Sequence, residues 1–125
     1  MPRKSVLIPQ VVAASQSMAA AFTSQPTMVT YQDNCAYQIN ITTVDSTGTF
    51  SVQGSLDFQQ ASGTEQAIAG NWIDLELDGV PTAAGANDNI LINLNQIPFR
   101  ALRVAYTPTV AGTGTCDVIV MSKEI

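Results

Sequence analysis

Three carboxylates alternate along one short stretch, at Asp74, Glu76 and Asp78. In an extended strand that spacing puts all three on one face. A row of oxygen donors suits a calcium ion, which takes several oxygen ligands. Two of them could instead serve glycoside hydrolysis, which uses a pair of carboxyl groups flanking the bond. The plainer alternative is a solvent-facing row that keeps a strand soluble and discourages edge pairing. We adopt it, because a hydrolase wants carboxylates on facing elements across a cleft, and nothing in the chain indicates one. Asn87, Asp88 and Asn89 also bring oxygen atoms together, but such residues are ordinary in turns.

Other chemistry is excluded by composition. The chain has no histidine, so a histidine triad, a His–zinc site and a His proton shuttle are ruled out. The two cysteines, Cys35 and Cys116, form no C-x-x-C motif, as a zinc site would need. Neither has a neighbouring base to activate it. Both are expected to be reduced, buried and inert. No catalytic residue, metal or cofactor is therefore expected, and the protein is not expected to be an enzyme. Five Lys and Arg against ten Asp and Glu, a net charge of −5, leave no basic footprint for nucleic acid. No apolar run approaches the about 20 residues of a membrane-spanning helix, and no membrane partner is expected.

Trp72 falls beside the carboxylates, opposite Ile73, Leu75 and Leu77. An exposed Trp can stack on a sugar, anchor a subunit interface, or pack on its own loops. Arg100 and Arg103 stand out in a chain with so few cations. They are either partners for acidic groups across an interface or ordinary surface arginines.

The elements that must position these residues read as β almost throughout. Cys35, Tyr37, Ile39 and Ile41 alternate with polar residues, and so do Phe50, Val52, Gly54, Leu56 and Phe58. Period two marks half-buried strands. The short link between the two runs predicts an antiparallel hairpin. Further strands are expected at 27–32, 71–78, with Ile73, Leu75 and Leu77 inward, 90–94, 100–107 and 115–123. In the last, Cys116, Val118 and Val120 face in, while Ile119 and Met121 make the outer face apolar too. Gly, Pro, Asn or Asp bounds each run. Seven to eight such strands predict an all-β fold, an antiparallel β-sandwich of jelly-roll type.

With 125 residues and 46 % hydrophobic composition, the chain is long enough for one core and too apolar for disorder. Only 12 % of residues are charged, about half the roughly 25 % of an ordinary domain. Residues 1–26 stand apart. Arg3 and Lys4 before an apolar run, with small residues at 19–21, loosely mimic a secretory signal, but Pro9 and Gln10 interrupt it and no signal is expected. The stretch is read as an extended N-terminal arm, and 27–125 as the sandwich domain. The arm either folds back on its own domain or lies on a neighbouring subunit.

The segment TGTFSVQGSLD at 47–57, Trp72 with its alternating leucines, and INLNQIPFRALRVAYTPTVAGTGTCDVIVMSK at 92–123 resemble small β-sandwich virion proteins of tailed bacteriophages. The resemblance covers about residues 28–123 and its motifs are structural. It implies a virion setting, with assembly in the host cytoplasm. Within that setting we expect a capsid decoration, or cement, protein bound to the major capsid protein across capsomer boundaries. A symmetric homo-oligomer, a trimer first, fits many equivalent positions. Val6, Leu7, Ile8, Val11 and Val12 of the arm are then expected at the interface, with Trp72, Arg100 and Arg103 beside them. The alternative is a binding module of a head fibre, neck or tail that recognises host glycans through Trp72.

Overall fold

The computed structural model describes residues 6–29, 34–61, 63–64, 66–77, 79–95 and 99–123; residues 6–8 and 123 are described by backbone alone. Ten strands follow in order: β1 Val6–Ser17, β2 Phe22–Thr23, β3 Thr27–Met28, β4 Asn34–Thr42, β5 Thr47–Ser55, β6 Ile73–Asp74, β7 Thr82–Ala84, β8 Asp88–Asn95, β9 Ala101–Val110 and β10 Thr115–Lys123. Among the described residues there is no helix, so none long and apolar enough to cross a membrane.

The pairing is nested. β1 pairs with β10, β2 and β3 with β9, β4 with β8, and β5 with β6 and β7, always antiparallel. One sheet has the order β1-β10-β4-β8; the other runs β2-β9-β5-β6 with β3 on β9 and β7 on β5. Counting β2 with β3, and β6 with β7, as single positions reduces ten strands to eight. Eight strand positions folded as one long hairpin and wound into two sheets are a jelly roll. We call the sheets A (β1, β10, β4, β8) and B (β2, β3, β9, β5, β6, β7).

The inner faces follow the period-two pattern. Cys35, Tyr37, Ile39, Ile41, Cys116, Val118 and Val120 of sheet A are buried against Phe50, Val52, Leu102, Val104 and Tyr106 of sheet B. Tyr106 lies between two rings, with centroids 4.7 Å from Phe50 and 5.5 Å from Phe22.

The stretch expected as an arm supplies β1 and β2, so the expected boundary at residue 26 falls inside the fold. β1 lies along β10 from Val6↔Lys123 to Ser17↔Thr115, and Val12 enters the core. An Ala- and Ser-rich strand with three register-shifting irregularities lacks the clean alternation that would reveal it, which is why the sequence reads as a tail.

The expected hairpin of β4 with β5 is corrected. β4 pairs with β10 and β8, whereas β5 pairs with β9, so the two lie in opposite sheets. Residues 43–46 form an arch over the core edge. The Thr43 hydroxyl accepts from the N–H groups of Ser46 (2.9 Å) and Asp45 (3.2 Å). The arch is pinned from outside: Asp45 accepts from the Thr113 N–H (3.0 Å), and the Ser46 hydroxyl from the Gly114 N–H (3.0 Å). A Cβ on Gly114 would collide with Thr43, so the Gly-Thr-Gly-Thr turn needs glycine there to close on the arch.

Three further expectations shift. β5 ends at Ser55, whose hydroxyl accepts from the N–H groups of Asp57 (3.3 Å) and Phe58 (3.1 Å). That turn leaves Leu56 exposed rather than inward. The expected strand 71–78 shrinks to β6, with Ile73 70 % exposed rather than inward. Leu75 and Leu77 do pack on the core. The edge of β5 is shared: β6 takes Gln53 and Gly54, and β7 takes Thr47 to Thr49. Of 27–32, only Thr27 and Met28 form a strand, and 30–33 lie outside the described residues.

Cys35 stands opposite Ser122 and Cys116 opposite Ile41. Six ladder positions separate them, about 20 Å at strand spacing, far beyond disulfide reach. Both thiols are free and buried. Burial pushes Cys35 up to about 12; burial, with the Asp117 carboxylate second, pushes Cys116 up to about 11. Almost no thiolate exists at pH 8. Native protein should therefore leave both cysteines unmodified by iodoacetamide at pH 8, and both should alkylate in denaturant. Mass spectrometry reads the count, and fast native labelling at either site contradicts the packing.

Candidate functional site

The outer face of sheet B brings Trp72, Phe58 and Arg103 together. β5 and β9 pair so that Gln53 stands opposite Arg103, and β6 adds Asp74 beside Gln53. Arg103 donates from Nε to Gln53 Oε1 at 2.7 Å, and Gln53 donates from Nε2 to Asp74 Oδ1 at 2.9 Å. The Arg103 guanidinium lies over the Trp72 ring, 4.3 Å from its centroid. Partial burial lowers the Arg103 pKa, yet an arginine keeps its charge throughout the working range. Phe58 packs at Trp72 with centroids 5.3 Å apart. The indole N–H donates to the Ala69 carbonyl at 3.0 Å. A cation over an aromatic face contributes about 0.5–1 kcal/mol at an exposed site.

This arrangement gives Trp72 a structural role within its own domain. With Arg103 over the ring, that face is closed to a sugar. Arg100 reaches Gln59 Oε1 only at 3.5 Å and is half-buried. Among the described residues, neither arginine faces an acidic side chain directly; Arg103 reaches Asp74 through Gln53.

Asp57 holds the loop that carries Trp72. Its carboxylate accepts from the Asn71 N–H (2.7 Å), Asn71 Nδ2 (2.8 Å) and the Ser55 hydroxyl (2.9 Å). The Asn71 backbone bond first, then the Asn71 and Ser55 side chains, hold it below the usual carboxylate range. Its folded pKa is depressed, so its stabilisation is fully present above the unfolded value of about 3.9. It is lost as pH falls through the lower folded value. Asp57→Asn should lower Tm by a constant amount from pH 7 to about 5, and the gap should close below about pH 4. Calorimetry across that range checks it; a gap that widens in acid contradicts the geometry.

The two described members of the acidic row, Asp74 and Glu76, are exposed, as a solvent-facing row should be. Asp74 is engaged by Gln53, and Asp78 lies outside the described residues. Among the described residues, no group of three or more His, Cys, Asp or Glu could hold a metal. Asn87 accepts from the Thr43 N–H at 2.9 Å, just before β8, and Asp88, the first residue of β8, accepts from the Asn89 N–H at 2.8 Å.

The outer face of sheet A has a different character. The described outward side chains of β4, β8 and β10 include a single charge, Asp117, which accepts from the Ser15 N–H at 2.6 Å. Val11, Ile119, Gln38 and Leu91 stand in one row across all four strands. Val11 is 57 %, Leu91 64 % and Met121 42 % exposed, and Ile119 is half-buried. A shallow groove of about 250 Å³ beside them is lined by Ala36, Asn93, Asn95 and Met121, among others. No protein-family model and no curated protein matches the chain.

Of the residues expected at an interface, Val11 is exposed on this face, while Val12 is buried in the core. Val6, Leu7 and Ile8 belong to β1 by backbone pairing, and their side chains lie outside the described residues. Trp72, Arg100 and Arg103 sit on sheet B, so the expected set is divided between two faces. The sequence does not mark Leu91 as exposed, because its stretch, ILINL, has apolar residues on both faces and does not reveal which side is open.

Proposed function

We propose that the chain is a non-catalytic structural protein of a bacteriophage virion, a capsid decoration protein that binds the major capsid protein and reinforces the shell. The observation that carries this reading is the outer face of sheet A, with exposed Val11, Leu91 and Met121 and one charge among the described outward residues of β4, β8 and β10. A surface of Asn, Gln, Thr and aliphatic groups costs less to desolvate than a Lys/Glu surface. The resemblance to small virion proteins of tailed phages supports the setting. Jelly rolls serve in capsids but also in lectins and cupins, so the fold by itself does not select the role. Docking across capsomer boundaries would stabilise the assembled shell by mass action.

The glycan-binding alternative has weaker support, because Arg103 covers one face of Trp72. Quantitative mass spectrometry of purified particles of the encoding phage tests the proposal. Hundreds of copies per particle are expected. A dozen or fewer would move the protein to a neck, vertex or tail, and none would overturn the virion reading.

A further inference from the structure

A sheet edge is a row of unpaired backbone N–H and C=O groups, and stable monomers blunt it with short strands, Pro, bulges or charge. Three of the four edges here are blunted. Sheet B ends in pieces of two residues on the β9 side and of two and three residues on the β5 side. In sheet A, β1 carries Pro9 and three register breaks against β10. The fourth edge, β8, has none of these devices beyond the one charge of Asp88 at its start. Its eight residues, DNILINLN, contain no Pro, Gly, Lys or Arg. Its register with β4 runs unbroken from Asn34↔Asn95 to Ile41↔Asp88. Among the described residues, no strand pairs with its other side.

We propose that β8 is a self-association edge, at which two copies of this chain pair β8 to β8, antiparallel, about a two-fold axis. The sheet A faces of the two copies then become one continuous sheet.

An identical strand suits this edge for three reasons. First, an antiparallel pair that keeps both cores on the same side must match residues of like parity, and β8 is consistent on each face. Ile92 is buried and Ile90 and Leu94 half-buried inward, while Asn89, Leu91, Asn93 and Asn95 face out. A ladder centred on Leu91 sets it beside its own copy and Asn89 beside Asn93, joining the apolar rows of the two sheets. Second, the only charge in β8 is Asp88, at its start. In that ladder the two Asp88 residues lie about 20 Å apart, beyond the roughly 8 Å screening length at physiological salt. Two chains of net charge −5 can therefore meet here without facing like charges within the strand pair. Third, closing a ring of three through sheet A would need β8 to pair with β1. There Pro9 offers no N–H and the register is broken. Isologous pairing is the geometry left to this edge. It stands whether or not the protein belongs to a virion.

Sedimentation equilibrium of the purified full chain, from micromolar to near-millimolar concentration, tests the proposal. A monomer–dimer equilibrium is expected. The double variant Leu91→Lys, Asn93→Lys should weaken it at least ten-fold, with an unchanged melt at dilutions where both proteins are monomeric. Hydrogen exchange on the wild type supplies a readout independent of the variant's folding: alternate β8 amides should gain protection as concentration rises. A monomer at all concentrations, a trimer, a dimer indifferent to the lysines, or β8 protection independent of concentration would each overturn it.

Discussion

Gly48→Ala should destabilise the protein by about 3 kcal/mol, the upper end of ordinary overpacking, and lower Tm by on the order of 10 °C. Gly48 sits in β5 opposite Pro108 of β9. A Cβ there would lie 2.5 Å from the Thr107 carbonyl oxygen and 2.6 Å from the Tyr106 hydroxyl oxygen. A side chain can rotate away from an intruding methyl, but a backbone carbonyl between paired strands cannot. Relief requires spreading the β5–β9 ladder at the centre of sheet B. Gly79→Ala is the matched control, since its Cβ would meet nothing within 4 Å. Thermal melts of the two variants separate a packing penalty from a generic glycine effect. Equal, small shifts would mean the strands approach less closely than described.

Tyr106 gives the second large effect, with a contrast built in. Its ring is 1 % exposed and joins Phe22 to Phe50 along the inner face of sheet B. Tyr106→Ala removes that ring and leaves a cavity, so about 3–5 kcal/mol should be lost. Tyr106→Phe keeps the ring and deletes a buried hydroxyl with no partner among the described residues. Removing an unsatisfied polar atom forfeits no hydrogen bond, so this variant should match or exceed the wild type. Urea midpoints decide the matter. A loss above about 1 kcal/mol in Tyr106→Phe would show that the hydroxyl does find a bond.

Period two was enough to place most inward residues correctly. Tyr37, Ile39, Phe50, Val52, Val104, Val118 and Val120 are all in the core. The same pattern is silent about partners, because any strand with one apolar face can lie beside or opposite another. Whether residues 43–46 form a hairpin or an arch depends on Asp45 and Ser46 bonding to a turn almost seventy positions away. No local reading contains that information. β1 was obscured for a related reason: its pairing shifts register three times, which erases the alternation.

The site was less legible than the fold. In the sequence Trp72 and Arg103 read as separate residues, Trp72 open to a sugar, an interface or its own loops, and Arg103 to an interface or the plain surface. Their contact with each other depends on the Gln53↔Arg103 register and on the loop held by Asp57, neither of which has a signature in spacing. Leu91 carried no signal at all, because its exposure is a property of where β8 falls in the sheet.

The β1–β10 ladder bears on how the protein is made. Val6 waits for Lys123 and Ser17 for Thr115, so among the described strands β1, made before the other nine, has no partner until β10 has followed it. The inner pair of the nest, β5 with β6 and β7, can form much earlier. Loop closure across most of the chain makes such pairing slow. During that interval the inner face of sheet A lacks its flank, and β10 has β4 on one side only. The nascent chain therefore completes its fold from the inside outward, with its greatest exposure to misassembly just before β1 docks.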